Sequence, residues 1–307
     1  APGAGAGLAA AGAPAAARVP KRRPHVLREG AARALFGTAA ALSIAAVALI
    51  CLFLLANGVP AMAEIGLPEF LFGTTWRPVN DLYGIFPMIV GSLYVTAGAM
   101  IVGVPGGLLT ALYFSRFARG RTGSFLRSGV ELLAGIPSVV YGFFGLVIIV
   151  PFVRLLGPGT GLSVLAASLI LGIMILPTVI TVAQSALDAV PARYYEGALA
   201  LGVDHEHAVF KVVAPAAASG IMAAIVLGLG RAIGETMAVV MVAGNMPIIP
   251  DSLLSGVRTM TANIVLEMGY AADLHREALI ATGVVLFVFI LLITMLLNVI
   301  RKRGEAR

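Results

Sequence analysis

ALFGTAAALSIAAVALICLFLLA, residues 34–56, runs for 23 positions without a charged side chain. A helix rises about 1.5 Å per residue, so about 20 such residues cross the ~30 Å hydrocarbon core of a bilayer. Lys21, Arg22, Arg23, Arg28 and Arg33 precede the run, and a stretch of almost only Ala, Gly and Pro precedes them. A signal peptide places its basic residues first and ends its apolar stretch in a cleavage site. The order here differs, and the segment reads as an uncleaved first transmembrane helix. The rest of the chain agrees. Of 307 residues, 59% are hydrophobic and 12% charged, and mean hydropathy is +0.98. A soluble domain of that length covers its surface with far more charge. The composition is that of a polytopic inner-membrane protein surrounded by a lipid bilayer.

Outward from that helix the chain divides readily. Residues 1–33 are expected to form a disordered basic tail, 34–57 the first helix, and 58–85 a polar extracytoplasmic loop. Residues 86–300 hold five further apolar runs, near 86–114, 128–152, 162–182, 216–243 and 278–300. The expected fold is all-α, with about six transmembrane helices. Residues 183–215 and 244–277 are polar or mixed connections, and 301–307 form a short basic tail. Pro87, Gly103, Pro105, Gly106 and Gly107 fall in the second run, and Pro137 falls in the third, in GIPSVVYGFFG. Straight helices are not expected there. Such breaks survive in a bilayer only where neighbouring helices or a polar cavity satisfy the freed backbone groups.

Sidedness follows from the basic residues, which concentrate on the cytoplasmic side. With both termini cytoplasmic, the inner segments hold 16 Lys and Arg. The outer loops hold four, Arg77, Arg154, Arg258 and Arg276, and Arg231 lies within a span. Residues 183–215 therefore face the cytoplasm and 244–277 face outward.

Several function classes are excluded. The net charge of +6 sits at span ends, and the three lysines (Lys21, Lys211, Lys302) make no dense patch, so no nucleic-acid partner is expected. No GxxxxGK[ST] loop is present, so the chain carries no P-loop of its own. HExxH and GxSxG are also absent, which leaves no nucleophile–base constellation and no enzyme reading. Cys51 is the single cysteine and lies in an apolar run. His205 and His207 flank Glu206, but in a solvated segment, and no metal site is expected.

Residues 183–215 carry a patterned stretch: EGALALG from Glu196 to Gly202, then nine residues, then VVAP ending at Pro215. Glu196, Gly197, Ala198, Gly202 and Pro215 mark it. A glycine permits a turn between two short helices, and a proline at a helix start gives up an N–H that has no partner anyway. Such a helix pair can press into a partner protein, or it can lie as an amphipathic helix in the membrane interface. The spacing resembles the EAA loop of ABC importer permeases, with Gly197, Val212 and Ala214 departing from the usual residues.

The fifth run carries GLGRAIGETMAVVMVAGN, Gly228 to Asn245. Arg231 and Glu235 stand four apart, which places them on one face of a continuous helix. A charge within a span costs about 2.5–3.5 kcal/mol on insertion scales, so the pair implies a polar lining or mutual neutralisation. Gly228, Gly230 and Gly234 leave room near the arginine for a helix or a ligand. The guanidinium fork suits a tetrahedral oxyanion, with the glutamate orienting it and moderating its affinity. A structural ion pair fits the residues equally.

RAIGETMAVVMVAGN and RTMTANIVLEMGYA (Arg258 to Ala271), with GIPSVVYGFFG and ILPTVI (Ile175 to Ile180), resemble the PstC-type permease of phosphate ABC transporters over about residues 86–300. The resemblance implies a type I ABC importer permease that forms a heterodimer with a homologous second permease. It also implies a cytoplasmic ATPase dimer that binds ATP and Mg, an extracytoplasmic phosphate-binding protein, and no cofactor on this chain. It implies that Arg231 and Glu235 line the phosphate route and that residues 196–215 couple to the ATPase. The alternatives are a permease for sulfate or molybdate, and an ATP-independent transporter or channel using Arg231 and Glu235 as an ion relay.

Overall fold

The computed structural model describes residues 26–118 and 120–305, so most of the expected tail over 1–33 lies outside the described residues. The described chain is almost wholly helical. By length and composition, four helices can cross a bilayer unaided, over residues 32–65, 86–117, 164–188 and 273–299. Two bent helix pairs bring the number to six if each is one broken span. Six spans is the number expected.

Helix α1, Val26–Ile65, is longer than the run at 34–57. Contacts divide the chain after Ile50. The first unit is the N-terminal part of α1, and its described side chains, 32–50, are all exposed. An apolar helix with no packed face belongs in lipid. In the second unit α1 continues from Cys51 and packs on the last helix, α14 (Asp273–Glu305). A Cβ on Gly58 would lie 2.7 Å from Val284 Cγ2, so glycine permits that approach.

The expected loop at 58–85 is instead the end of α1, the short helix α2 (Leu67–Phe72) and a hairpin of β1 (Trp76–Arg77) and β2 (Leu82–Tyr83). Phe70, Trp76, Tyr83 and Ile85 are buried against Met88, Met260 and Leu279. This segment is a packed cap.

Helix α3, Phe86–Leu112, is unbroken and runs into a π turn at Tyr113–Phe117. Pro87 occupies its first turn, where the lost N–H is harmless. Its glycines are contact points. A Cβ on Gly103 would lie 2.6 Å from Ile175 Cγ1 and 2.7 Å from the Gly172 carbonyl, and one on Gly107 would lie 2.7 Å from Val179 Cγ1. Small residues let helix backbones approach where lipid offers no hydrophobic drive between helices. The partner is α7, Val164–Asp188, with Ser163 as its N-cap accepting from Ala166 N–H at 3.2 Å.

The third expected span, 128–152, is broken as Pro137 predicts. Helix α4 (Gly120–Gly135) bends by 100° into α5 (Ser138–Phe144), a π turn (Gly145–Ile149) and α6 (Val150–Arg154). Pro137 caps α5 with ψ near 143, because a residue with no N–H and fixed φ cannot continue α4. Helices α8 (Ala192–Ala200) and α9 (His205–Ala208), a π turn at Val209–Val213 and α10 (Ala214–Ala216) lead by a 71° bend into α11, Ala218–Gly234.

The fifth span, expected to be continuous over 216–243, stops at Gly234 and restarts as α12 (Met237–Val242). The connection after α12 folds back onto α7. Ser163 and Val164 N–H donate to the Val242 and Ser255 carbonyls, and Leu165 N–H to Leu253. Helix α13 (Met260–Glu267) precedes α14, which runs past Ile300 to Glu305, so the expected tail at 301–307 is largely helical.

Candidate functional site: an anion route and a coupling segment

Gly234 ends α11, and Glu235 adopts extended backbone with ψ near 134. The helical face expected to join Arg231 and Glu235 therefore does not exist. No ion pair links the two among the described residues. The Glu235 carboxylate instead accepts from Ala238 N–H at 3.2 Å, capping the start of α12. Its own carbonyl accepts from Thr261 Oγ1 at 3.1 Å. The sequence run hid the break because apolar residues continue on both sides of it.

Arg231 is exposed, and its one side-chain hydrogen bond among the described residues is a long 3.4 Å donation from Nη1 to Thr178 Oγ1. The nearby glycines separate into two kinds. A Cβ on Gly228 would meet Val179 Cγ2 at 2.8 Å, which marks a packing glycine. Gly230 and Gly234 face nothing within 4 Å. The arginine thus stands on an open strip, with no carboxylate paired to it among the described residues. Ions within a span are costly unless paired or hydrated, so a polar partner or ligand fits this face.

In the candidate coupling segment, Gly202 has φ of +84, a conformation that costs other residues strain. Gly202 N–H donates to the Leu199 carbonyl at 2.9 Å and Val203 N–H to Ala198 at 3.2 Å, the paired bonds of a Schellman turn. Asp204 then caps α9, accepting from His207 N–H at 2.7 Å. That backbone bond, with the His207 side chain, holds the Asp204 carboxyl below its usual range.

Glu196 and Gly197 are exposed and Ala198 is buried, while Leu201 is 86% exposed and Tyr194 and Phe210 are also open. Pro215 lies in the last turn before the 71° bend, one turn earlier than a span start. The segment is tied to the ends of α3 and α7. Tyr195 Oη and His205 Nδ1 lie 2.7 Å apart, His205 packs edge-on to Phe117 at 4.7 Å, and Arg116 donates to the Leu187 carbonyl at 2.9 Å.

Sequence reasoning missed a third arrangement. Arg258 Nη1 donates to Glu267 Oε1 at 2.5 Å and to Asn263 Oδ1 at 3.0 Å, and its Nε donates to the Asn245 carbonyl at 2.9 Å. Glu267 Oε2 lies 2.9 Å from His275 Nε2. The Glu267 side chain is only 8% exposed. In the sequence Arg258 stands out as a loop charge and as the first residue of RTMTANIVLEMGYA, with no partner indicated. The visible signal was an acid and a base nine residues apart beside an apolar helix.

Residues 103–305 match the family of binding-protein-dependent transport system inner membrane components. This chain belongs to that family. The permease is 35% identical over 294 residues to the probable ABC transporter permease protein YqgH of Bacillus subtilis strain 168, covering 94% of this chain and 95% of that protein. It is 33% identical over 279 residues to the phosphate transport system permease protein PstC of Mesorhizobium japonicum, covering 84% and 85%. It is 35% identical over 252 residues to the phosphate transport system permease protein PstC 1 of Mycobacterium tuberculosis, covering 75% and 74%.

Among solved structures, an inward-facing form of the MetNI methionine ABC transporter superposes with a TM-score of 0.55 at 21% identity, covering 75% of this chain and 99% of that one. The fold is that of a type I ABC importer permease. The permease is a multi-pass transport subunit of the inner membrane.

Proposed function

We propose that this chain is the permease subunit of an ATP-driven inorganic phosphate importer, paired with a homologous second permease. Both termini and residues 189–217 face the cytoplasm, where the exposed Tyr194, Leu201 and Phe210 meet an ATPase dimer that binds ATP and Mg. A phosphate-binding protein delivers the anion from outside. The observation that carries the reading is the exposed, unpaired guanidinium of Arg231 beside open Gly230 and Gly234. It is supported by the phosphate permeases among the relatives.

Arginine keeps its charge at any physiological pH and offers a fork of donors matched to phosphate oxygens. One arginine does not neutralise an anion that carries more than one charge, so the second permease supplies another cation. ATP-driven movement of the coupling segment opens this strip alternately to the two sides. Glu235 acts beside the route by fixing the start of α12.

The test is ATP-driven uptake of labelled phosphate into vesicles holding the full transporter, wild type against Arg231→Ala, with sulfate and molybdate as competitors. Uptake that needs ATP, resists both competitors and collapses in Arg231→Ala supports the reading. Normal uptake by an assembled Arg231→Ala complex rejects Arg231 as part of the route. Uptake of sulfate or molybdate in preference to phosphate rejects the substrate.

A further inference from the structure

The polar face of α7 continues beyond Thr178. Thr181 and Ser185 follow at helical spacing, about 10 Å along the axis toward the end where the coupling segment begins. With Gln184, they line a cavity of about 240 Å³ whose other wall, on α4, holds Arg127 and Glu131. One water occupies about 30 Å³ of liquid, so the space admits a partly hydrated small anion.

Arg127 is held by one arm. Its Nη2 donates to the Phe114 carbonyl at 2.5 Å, and its guanidinium carbon sits 5.9 Å from the Phe114 ring. Nε and Nη1 have no protein acceptor among the described residues. Gln184 Nε2 makes only a 3.4 Å contact, with Asp188. Glu131 follows Arg127 by four residues without pairing to it, the same Arg-x-x-x-Glu spacing and the same unpaired state as Arg231 and Glu235.

We propose that Arg127, Gln184 and Ser185 form a second oxyanion station, which receives the transported ion after it leaves Arg231 along Thr178 and Thr181. This rests on Arg231 lying on the anion route. Free donors on Arg127 and Gln184 meet the anion. The Ser185 hydroxyl, which donates to the Thr181 carbonyl at 2.8 Å, turns to it on arrival. Glu131 limits affinity so that the ion departs. The phosphate of a lipid headgroup has the same chemistry, but the hydroxyl stripe leads from Arg231, which favours the free ion.

The experiment uses the complete transporter in discs of zwitterionic lipid, with Cys51→Ala and Ser185→Cys. The rate of thiol modification by a sulfonate-bearing reagent is compared with that by a neutral one, each normalised to a free thiol. The expected preference for the anionic reagent is about tenfold, in the range by which charged clefts concentrate counter-ions. Inorganic phosphate slows the modification. Arg127→Gln abolishes the preference, and Arg127→Lys restores it.

An unchanged preference in Arg127→Gln, or no protection by the anion that the transporter takes up, overturns the proposal. Protection that follows anionic lipid content instead of added phosphate also overturns it and assigns the cavity to headgroups. If wild type takes up sulfate instead of phosphate while sulfate protects Ser185→Cys, the station stands and the phosphate assignment falls.

Discussion

Glu267 Oε2 accepts from Trp76 Nε1 at 2.8 Å, joining residues 191 positions apart in one buried cluster. The same carboxylate holds Arg258 and His275, so the hairpin, the loop before α13 and the start of α14 meet on a single acidic side chain. Glu267→Ala would leave the Arg258 charge without its partner in a nearly buried site, at a cost of about 3–5 kcal/mol. Replacing both by apolar residues, as in Arg258→Met with Glu267→Leu, is expected to recover most of that loss. Thermal unfolding of the purified permease complex checks both. A Glu267→Ala variant that melts with wild type would show that the cluster does not clamp this end of the bundle.

The apolar spans, their order and the turn at Gly202 were legible because each rests on local chemistry. An apolar run of about 20 residues, Pro137 and Gly202 each dictate their conformation whatever surrounds them. The Arg258–Glu267 cluster was not legible, since Trp76 and Glu267 meet only through tertiary packing. The same limit produced the misreading at Gly103 and Gly107, which look like helix breaks in sequence and are contacts to α7 in the fold. It also hid the break at Glu235. Charge spacing assumed a helix that the backbone does not continue, and two residues expected on one face became a cap and, among the described residues, an arginine with no ion pair.

Glu235 offers a direct choice between those two roles. As a cap on α12 it needs only an oxygen acceptor, so Glu235→Gln is expected to keep the fold stability and most of the uptake. Glu235→Ala is expected to lose about 1 kcal/mol, the usual worth of a helix cap, and to lower uptake with it. Unfolding midpoints and phosphate uptake, measured together, decide the matter. Gln and Ala variants that are equally impaired would mean that the negative charge acts on the anion.

The glycines of the packed and open faces should respond oppositely to an added methyl. Gly103→Ala forces a Cβ to within 2.6 Å of Ile175 Cγ1 and 2.7 Å of the Gly172 carbonyl. Overpacking of this kind costs about 1–3 kcal/mol. Gly230→Ala meets nothing within 4 Å in this chain. It is expected to leave the permease's own stability intact or slightly raised while reducing uptake, because the methyl would intrude on the strip beside Arg231. Equal stability losses in both variants would contradict the contrast between the packed face of α3 at Gly103 and the open face of α11 at Gly230.

Gly202 tests the coupling turn. Its φ of +84 would place an L-residue in the left-handed region, at a cost of about 1–2 kcal/mol. Gly202→Ala is therefore expected to loosen the Schellman turn between α8 and α9 without touching Arg231. Full transporters carrying it should still bind phosphate and still hydrolyse ATP, but should move fewer phosphate ions per ATP. The ratio of uptake to hydrolysis in proteoliposomes measures this. A wild-type ratio in Gly202→Ala would mean that the geometry of this turn does not carry the ATPase stroke. In that case the contacts of His205 with Phe117 and of Tyr195 with Arg116, in the turn that follows α3, would be the remaining mechanical link.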